Sequence, residues 1–278
     1  MTKTAVIWAI VLIVAGLILT AIPHFAVGFD FTKLNTEKFT TNTHIVEESF
    51  QNIQISTKIG DIHLVLSDND ACRVECMESE KYNFSVSVVD NTLTIQDRDS
   101  RAWYEHIGIH MIEPKVTVYL PETAYEKLQA TSTTGNVKVE DGFSFQNATL
   151  EVTTGDIDWF GSNATNMALQ ATTGDITLTD VATDVLAIKV TTGDAWLTLT
   201  TAHALSATAS TGDILFDRFD ARSMNIKATT GDVIGTLLTP KQFVAHVTTG
   251  DVQVPHSNNT TDTCKITVTT GHIRLDLA

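Results

Sequence analysis

The amino-acid sequence predicts an all-β fold: a single-domain β-solenoid of coils about 19 residues long, behind one N-terminal transmembrane helix. Three observations predict it. A Thr-Thr-Gly-Asp corner returns at a fixed interval. Apolar and polar residues alternate on both sides of that corner. The chain also opens on a long uncharged stretch.

The corner is clearest at Val152-Thr153-Thr154-Gly155-Asp156-Ile157 and returns as Ala171-Thr172-Thr173-Gly174-Asp175-Ile176. Copies follow around Gly193, Gly212, Gly231 and Gly250, each 19 residues after the last. Variant corners flank them, Gly135-Asn136 lying 20 residues before Gly155 and Gly271-His272 lying 21 after Gly250. Five residues before the glycines stand Leu150, Leu169, Ile188, Ala207, Ile226, Ala245 and Ile266, and three before stand Val152, Ala171, Val190, Ala209, Ala228, Val247 and Val268. The position between is always polar, from Glu151 to Thr267. After the corner, Ile157 and Trp159 have apolar counterparts in Ile176 and Leu178. Each copy therefore reads strand, corner, strand, loop, and a spacing of two excludes a helix pair.

Glycine suits the corner because it takes positive φ without a Cβ clash. Aspartate suits it because its carboxylate bonds nearby backbone. Coils stacked about 4.8 Å apart and an antiparallel meander both fit this pattern, and the strict length favours coils. Like residues form ladders only if coils stack in register. About eight copies would span about 35–40 Å. Stacking also aligns Asp156, Asp175, Asp194, Asp213, Asp232 and Asp251. Charges about 5 Å apart repel by roughly 0.8 kcal/mol in water. That row must face solvent, bond backbone N–H groups or hold cations.

In chain order, residues 1–29 read as a cytoplasmic tip and transmembrane anchor. Residues 4–29 carry no Asp, Glu, Lys or Arg, and Ala5–Ile22 is mostly aliphatic. As a helix that run covers about 27 Å, close to a bilayer's hydrocarbon core. Lys3 supplies the positive side, which predicts a single-pass cell-membrane protein with a cytoplasmic N-terminus and an extracytoplasmic repeat domain. A cleaved signal peptide ending near Leu19-Thr20-Ala21 is the rival reading. Residues 30–45 read as a tether. Residues 46–127 read as an irregular β lead-in that continues and caps the solenoid, with Gly60-Asp61 as a degenerate corner and Asp90-Asn91 as a turn. Residues 128–278 form the regular repeat.

A strand ending in Leu120-Pro121, the approach Tyr125-Glu126-Lys127-Leu128 and the serial Thr-Thr-Gly-Asp-Ile corners, all behind one membrane segment, resemble the bacterial DUF4097 family. That family is also called toastrack and carries an adhesin label. The resemblance covers about residues 45–278. It implies a β-solenoid-like fold and a cell-envelope protein, some relatives of which sit near envelope-stress systems, and it carries over no catalytic residues.

The net charge of −15 argues against nucleic-acid binding, which demands a basic surface. No nucleophile elbow, P-loop, HExxH or dinucleotide fingerprint occurs, so no catalytic residue, cofactor or metal site is predicted. Calcium wants about six to eight oxygens, more than one aspartate per coil offers, so turn-forming aspartates are expected. His106 and His110, with Glu105 and Glu113, read as solvated loop residues. Cys72 and Cys76 share a strand face with Val74, which disfavours a disulfide between them, and Cys264 falls near the inward ladder. Buried thiols are expected at all three. Trp196, Leu215 and Ile234 align on successive copies as an apolar stripe, either a protein contact or covered core. The expected function is non-enzymatic: presentation of a solenoid surface to an envelope partner, as adhesin-like scaffold or envelope-stress accessory. The alternatives are a polysaccharide-active enzyme of β-helix type and a cation sensor using the aspartate row.

Overall fold

The structure, a computed structural model, describes residues 38–69, 71–100, 114–256 and 261–278. The transmembrane reading of residues 1–29 and the His106 and His110 segment fall outside the described residues. Thr40–Ser100 and Pro114–Ala278 together form one compact unit.

No described residue is helical. The lead-in holds β1 (Thr40–Val46), β2 (Asn52–Ile59), β3 (Asp61–Leu66), β4 (Cys72–Glu78), β5 (Tyr82–Val89), β6 (Thr92–Asp99) and β7 (Lys115–Leu120). Long and short strands then alternate: β8 (Ala124–Thr134) and β9 (Val137–Val139), β10 (Ser144–Thr154) and β11 (Ile157–Phe160), β12 (Asn163–Thr173) and β13 (Ile176–Thr179), β14 (Ala182–Thr192) and β15 (Ala195–Thr198). After β16 (Thr201–Thr211), β17 (Ile214–Thr230) runs through both sheets with a register shift between Phe216 and Phe219. The chain ends with β18 (Val233–Leu237), β19 (Gln242–Thr249), β20 (Val252–Gln253), β21 (Thr263–Thr270) and β22 (Ile273–Leu277).

Successive copies pair in parallel, long strand on long and short on short. Leu150 pairs with Leu169, and Leu169 with Ile188. Ile157 pairs with Ile176, and Ile176 with Ala195. These are the stacked coils that the 19-residue interval predicts, and the meander is excluded. Apolar residues from the two sheets meet between them: Leu150, Ile157, Ile176, Leu178 and Ile226 are fully buried. Trp159 is also buried, and its indole Nε1–H donates to the Ser162 carbonyl at 2.7 Å. Inward packing of the ladders is the main stabilising term, at roughly 25 cal/mol per Å² of apolar surface removed from water. At Gly193, φ is +131°, and an added Cβ would lie 2.2 Å from the Gly174 carbonyl oxygen. Close approach of the next coil, as well as the left-handed backbone, excludes a side chain there.

The Gly60 corner belongs to a true coil. β2 pairs in parallel with β8, and β3 with β9. Spatial order, however, departs from chain order at both ends. β6 lies outside β2 and β7 outside β3, so the first coil is enclosed between the β6–β7 coil and the β8–β9 coil. At the other end β21 sits between β17 and β19, and β22 between β18 and β20. The Gly271 coil is thus intercalated, which corrects the sequential stack expected from the repeat. A packing difference accounts for it. The Gly271 coil offers a complete inward set in Cys264, Ile266, Val268, Ile273 and Leu275, all buried. The Gly250 coil has a two-residue second strand, Val252–Gln253, with Pro255 close behind it. Enclosing the better coil buries more apolar surface.

The two ends finish differently. At the β6–β7 end, β5 pairs antiparallel with β6 through the Asp90-Asn91 turn, and β4 pairs antiparallel with β7. β1 then adds antiparallel to β4. Thr40–Val46 is therefore a paired strand, which corrects the C-terminal part of the expected 30–45 tether. At the other end, β19 and β20 are the outermost strands, and Val244 and Val252 are exposed.

Candidate functional site

The expected apolar stripe forms. In the short-strand sheet Thr177 pairs with Trp196, Trp196 with Leu215, and Leu215 with Ile234. Their side chains alternate with the inward residues Ala195 and Leu197, Ile214 and Phe216, and so point away from the core. Trp196 is 44% exposed, while Leu215 and Ile234 are half-buried. Among the described residues no layer encloses the stripe, so these residues form an outer surface.

The same row turns charged on one side of the stripe. Asp158 pairs with Thr177 and with Lys138, and Lys138 with His63. Glu140 accepts from Lys138 at 2.7 Å and contacts His63 Nε2 at 2.9 Å. The Lys138 hydrogen bond holds the Glu140 carboxyl below its ordinary range, assisted by His63 and opposed by partial burial. Burial raises the Asp158 carboxyl, and the nearby Asp156 charge adds to the effect. Arg274 pairs with Ile234 on the other side of the stripe.

The corner aspartates do a structural task. Asp175 N–H donates to Asp156 Oδ1 at 2.8 Å, Asp194 N–H to Asp175 Oδ1 at 2.7 Å, and Asp213 N–H to Asp194 Oδ1 at 2.7 Å. Asp232 N–H continues to Asp213 Oδ1 at 2.7 Å. Bonding to backbone N–H groups, one of the three options open to a row of carboxylates, is observed along it. A hydrogen bond to a charged acceptor contributes about 1.5–3 kcal/mol, which exceeds the roughly 0.8 kcal/mol repulsion between neighbours in water. The row also runs through the degenerate corner at Gly60-Asp61 and the variant corners at Gly135-Asn136 and Gly271-His272. Asp61 Oδ1 accepts from Asn136 N–H, and Asn136 Oδ1 from Asp156 N–H. Asp232 Oδ1 accepts from His272 N–H at 2.7 Å, and His272 Nδ1 accepts from Asp251 N–H at 3.2 Å. Asp251 is therefore separated from Asp232 by His272, a second consequence of the intercalated coil.

A shallow groove crosses the starts of β10, β12, β14 and β16, lined by Phe145, Asn163, Thr165, Asp184 and His203 among others. Its one acid, Asp184, pairs with His203 at 3.0 Å. Glycoside hydrolysis ordinarily uses two flanking carboxyl groups, which this lining does not supply. Cys72, Cys76 and Cys264 are free and buried, and burial pushes each thiol up to about 12.

Sequence reasoning missed a polar cluster around Lys241. Lys241 is fully buried, with Nζ 2.5 Å from Asp220 Oδ1 and from Thr239 Oγ1, and 3.5 Å from Asp262 Oδ2. It ties the end of one coil to the entries of β19 and β21, where the chain crosses over the intercalated coil. No local pattern marks these residues, because their meeting depends on the altered coil order.

Comparison with known proteins gives one family match and several similar solved structures. The family described as Toastrack DUF4097 matches residues 50–272. A crystal structure described as a "putative adhesin" from Bacteroides fragilis superposes with a TM-score of 0.56 at 16% identity, covering 86% of this chain and 97% of that one. Another so described, from Parabacteroides distasonis, has a TM-score of 0.45 at 16% identity, covering 86% and 98%. No curated protein matches the chain.

Proposed function

The chain belongs to the Toastrack DUF4097 family, and from that premise we propose that it is a non-enzymatic, membrane-anchored envelope protein that works by surface contact. The single observation carrying this reading is the Trp196–Leu215–Ile234 stripe. Three large apolar side chains stand in register on one sheet, bordered by Arg274 on one side and by Thr177 and then Asp158 on the other. Such a patch on otherwise acidic protein suits a protein partner with an apolar centre and a polar rim. The adhesin wording attached to the Bacteroides fragilis structure is compatible with this role. The uncharged segment at 4–29 supplies the anchor in this reading, which leaves the solenoid on the extracytoplasmic side. Partner identity comes from the test.

The test is photo-crosslinking in intact cells of the source organism. A photoreactive residue replaces Trp196 in one strain and Lys189, on the outward face of the long-strand sheet, in another. A discrete adduct from position 196 and none from 189 supports the contact face. Equal labelling from both positions, or none from either, overturns it. Recovery of the protein in the cytosolic fraction would overturn the anchored location.

A further inference from the structure

A second site lies at the antiparallel end, away from the stripe. β1 and β4 pair so that Asn42 faces Cys76, Thr40 faces Glu78 and His44 faces Val74. Cys72, Val74, Cys76 and Glu78 alternate inward along β4. That places His44 diagonally across from Cys76, with Glu78 next along the same face. One donor atom from each of His44, Cys76 and Glu78 lies within 4.8 Å of the other two.

Two features of this cluster are unexplained by protein contacts alone. His44 Nε2 is buried and has no hydrogen-bond partner. A buried polar atom left unpaired costs about 1–3 kcal/mol. Glu78 is 6% exposed, and among the described residues its oxygens accept from neutral donors, Asn42 Nδ2 at 2.5 Å and Phe84 N–H at 2.6 Å. Among the described residues no Lys or Arg forms an ion pair with it. Buried carboxylates are ordinarily matched by a cation or a metal ion. A single bound cation would meet both needs, accepting the lone pair of His44 and offsetting the Glu78 charge.

We propose that His44, Cys76 and Glu78 form a binding site for a zinc-class divalent cation. The donor set decides the class. Imidazole nitrogen and thiolate sulfur favour zinc and its neighbours over calcium and magnesium, which take oxygen. Ordinary zinc bonds of about 2.0–2.3 Å place tetrahedral ligands about 3.3–3.8 Å apart. Side-chain rotations that draw the donors together by about 1 Å complete the set. As the metal–sulfur bond forms, the Cys76 thiol releases its proton to solvent, because the thiolate is the ligand. Glu78 exchanges one neutral hydrogen bond for a metal–oxygen bond. Donors on β1 and β4 fasten the last strand of the antiparallel end to its neighbour, so the site would hold that end closed.

The test uses the full-length, tag-free protein in detergent, kept reduced with a non-thiol reductant and titrated with Co²⁺. One equivalent per chain is expected, with the near-ultraviolet charge-transfer band of a cobalt–thiolate bond, displaced by Zn²⁺. Cys76→Ala is expected to abolish the band, and Cys264→Ala to leave it unchanged. His44→Gln, at a partly exposed position, is expected to weaken zinc binding at least about tenfold, the scale of losing a supporting group. No thiolate band in protein with an intact β-sheet circular dichroism spectrum would overturn the proposal. So would a band that survives Cys76→Ala, or His44→Gln protein that binds zinc as tightly as wild type. None of these readouts depends on the surface-contact reading.

Discussion

The two ends of the solenoid solve the same problem to different extents. One ladder of inward residues runs through every coil: Leu93, Ile53, Leu128, Ala148, Met167, Leu186, Leu205, Met224, Cys264 and Phe243. Leu93 at one end is fully buried, because β5 folds back over its coil. Phe243 at the other end is only half-buried, and its neighbours Val244 and Val252 are exposed. A parallel stack leaves strand edges open at both ends. Here antiparallel strands cover one end, while the other is left to the coil with the shortest second strand. The chain places its poorest coil where least burial is required of it.

Substitutions that separate the ends test this contrast. Leu93→Ala removes a fully enclosed side chain and is expected to cost about 3–4 kcal/mol. Phe243→Ala deletes a larger group at the same ladder position, yet is expected to cost less than about 2 kcal/mol, because part of that ring is already solvated and the end of the stack can close over the gap. Urea unfolding followed by circular dichroism measures both, and equal losses would remove the distinction. Lys241→Ala leaves Asp220 and Asp262 facing each other without a cation at the crossover and is expected to cost about 3 kcal/mol. Its effect should appear first as proteolytic opening of the β19–β22 region, with the antiparallel end still protected.

The smaller effects lie in the regular middle. Asp194→Ala deprives the Asp213 N–H of its acceptor but also relieves repulsion in the row, for an expected net loss of about 1 kcal/mol. Trp196→Ser is expected to leave the unfolding midpoint almost unchanged, since the side chain faces outward, while abolishing adducts from a photoreactive residue at Leu215.

How much of this was legible in the sequence depends on the range of each interaction. The coil was readable because each copy repeats the same inward pair, Leu150 and Val152 against Leu169 and Ala171, and a constant interval leaves parallel stacking as the arrangement that matches like with like. The alignment of Trp196, Leu215 and Ile234 was readable on the same ground, but whether that stripe faced outward or lay under another layer was not. Coil order at the ends was not. The 21-residue step to Gly271 and the substitution of His272 for aspartate are the traces it left, and neither states which coil lies inside. That choice depends on summed burial over whole coils. The partners of Lys241 were hidden because they depend on that order. The His44, Cys76 and Glu78 cluster escaped for a related reason: its donors come from two strands joined through the β2–β3 coil, so no spacing in the chain marks it.

Coil intercalation is tested most directly by distances between outward positions on the long strands. Lys227 and Thr267 pair on adjacent strands, and Thr267 pairs in turn with His246. Spin labels at 227 and 267 should therefore lie on neighbouring strands about 4.8 Å apart, and labels at 227 and 246 about twice as far. Strong dipolar broadening for the first pair and weak broadening for the second is the predicted result. The reverse, with position 246 nearer to 227 than position 267 is, would mean that the coils stack in chain order and would contradict the account.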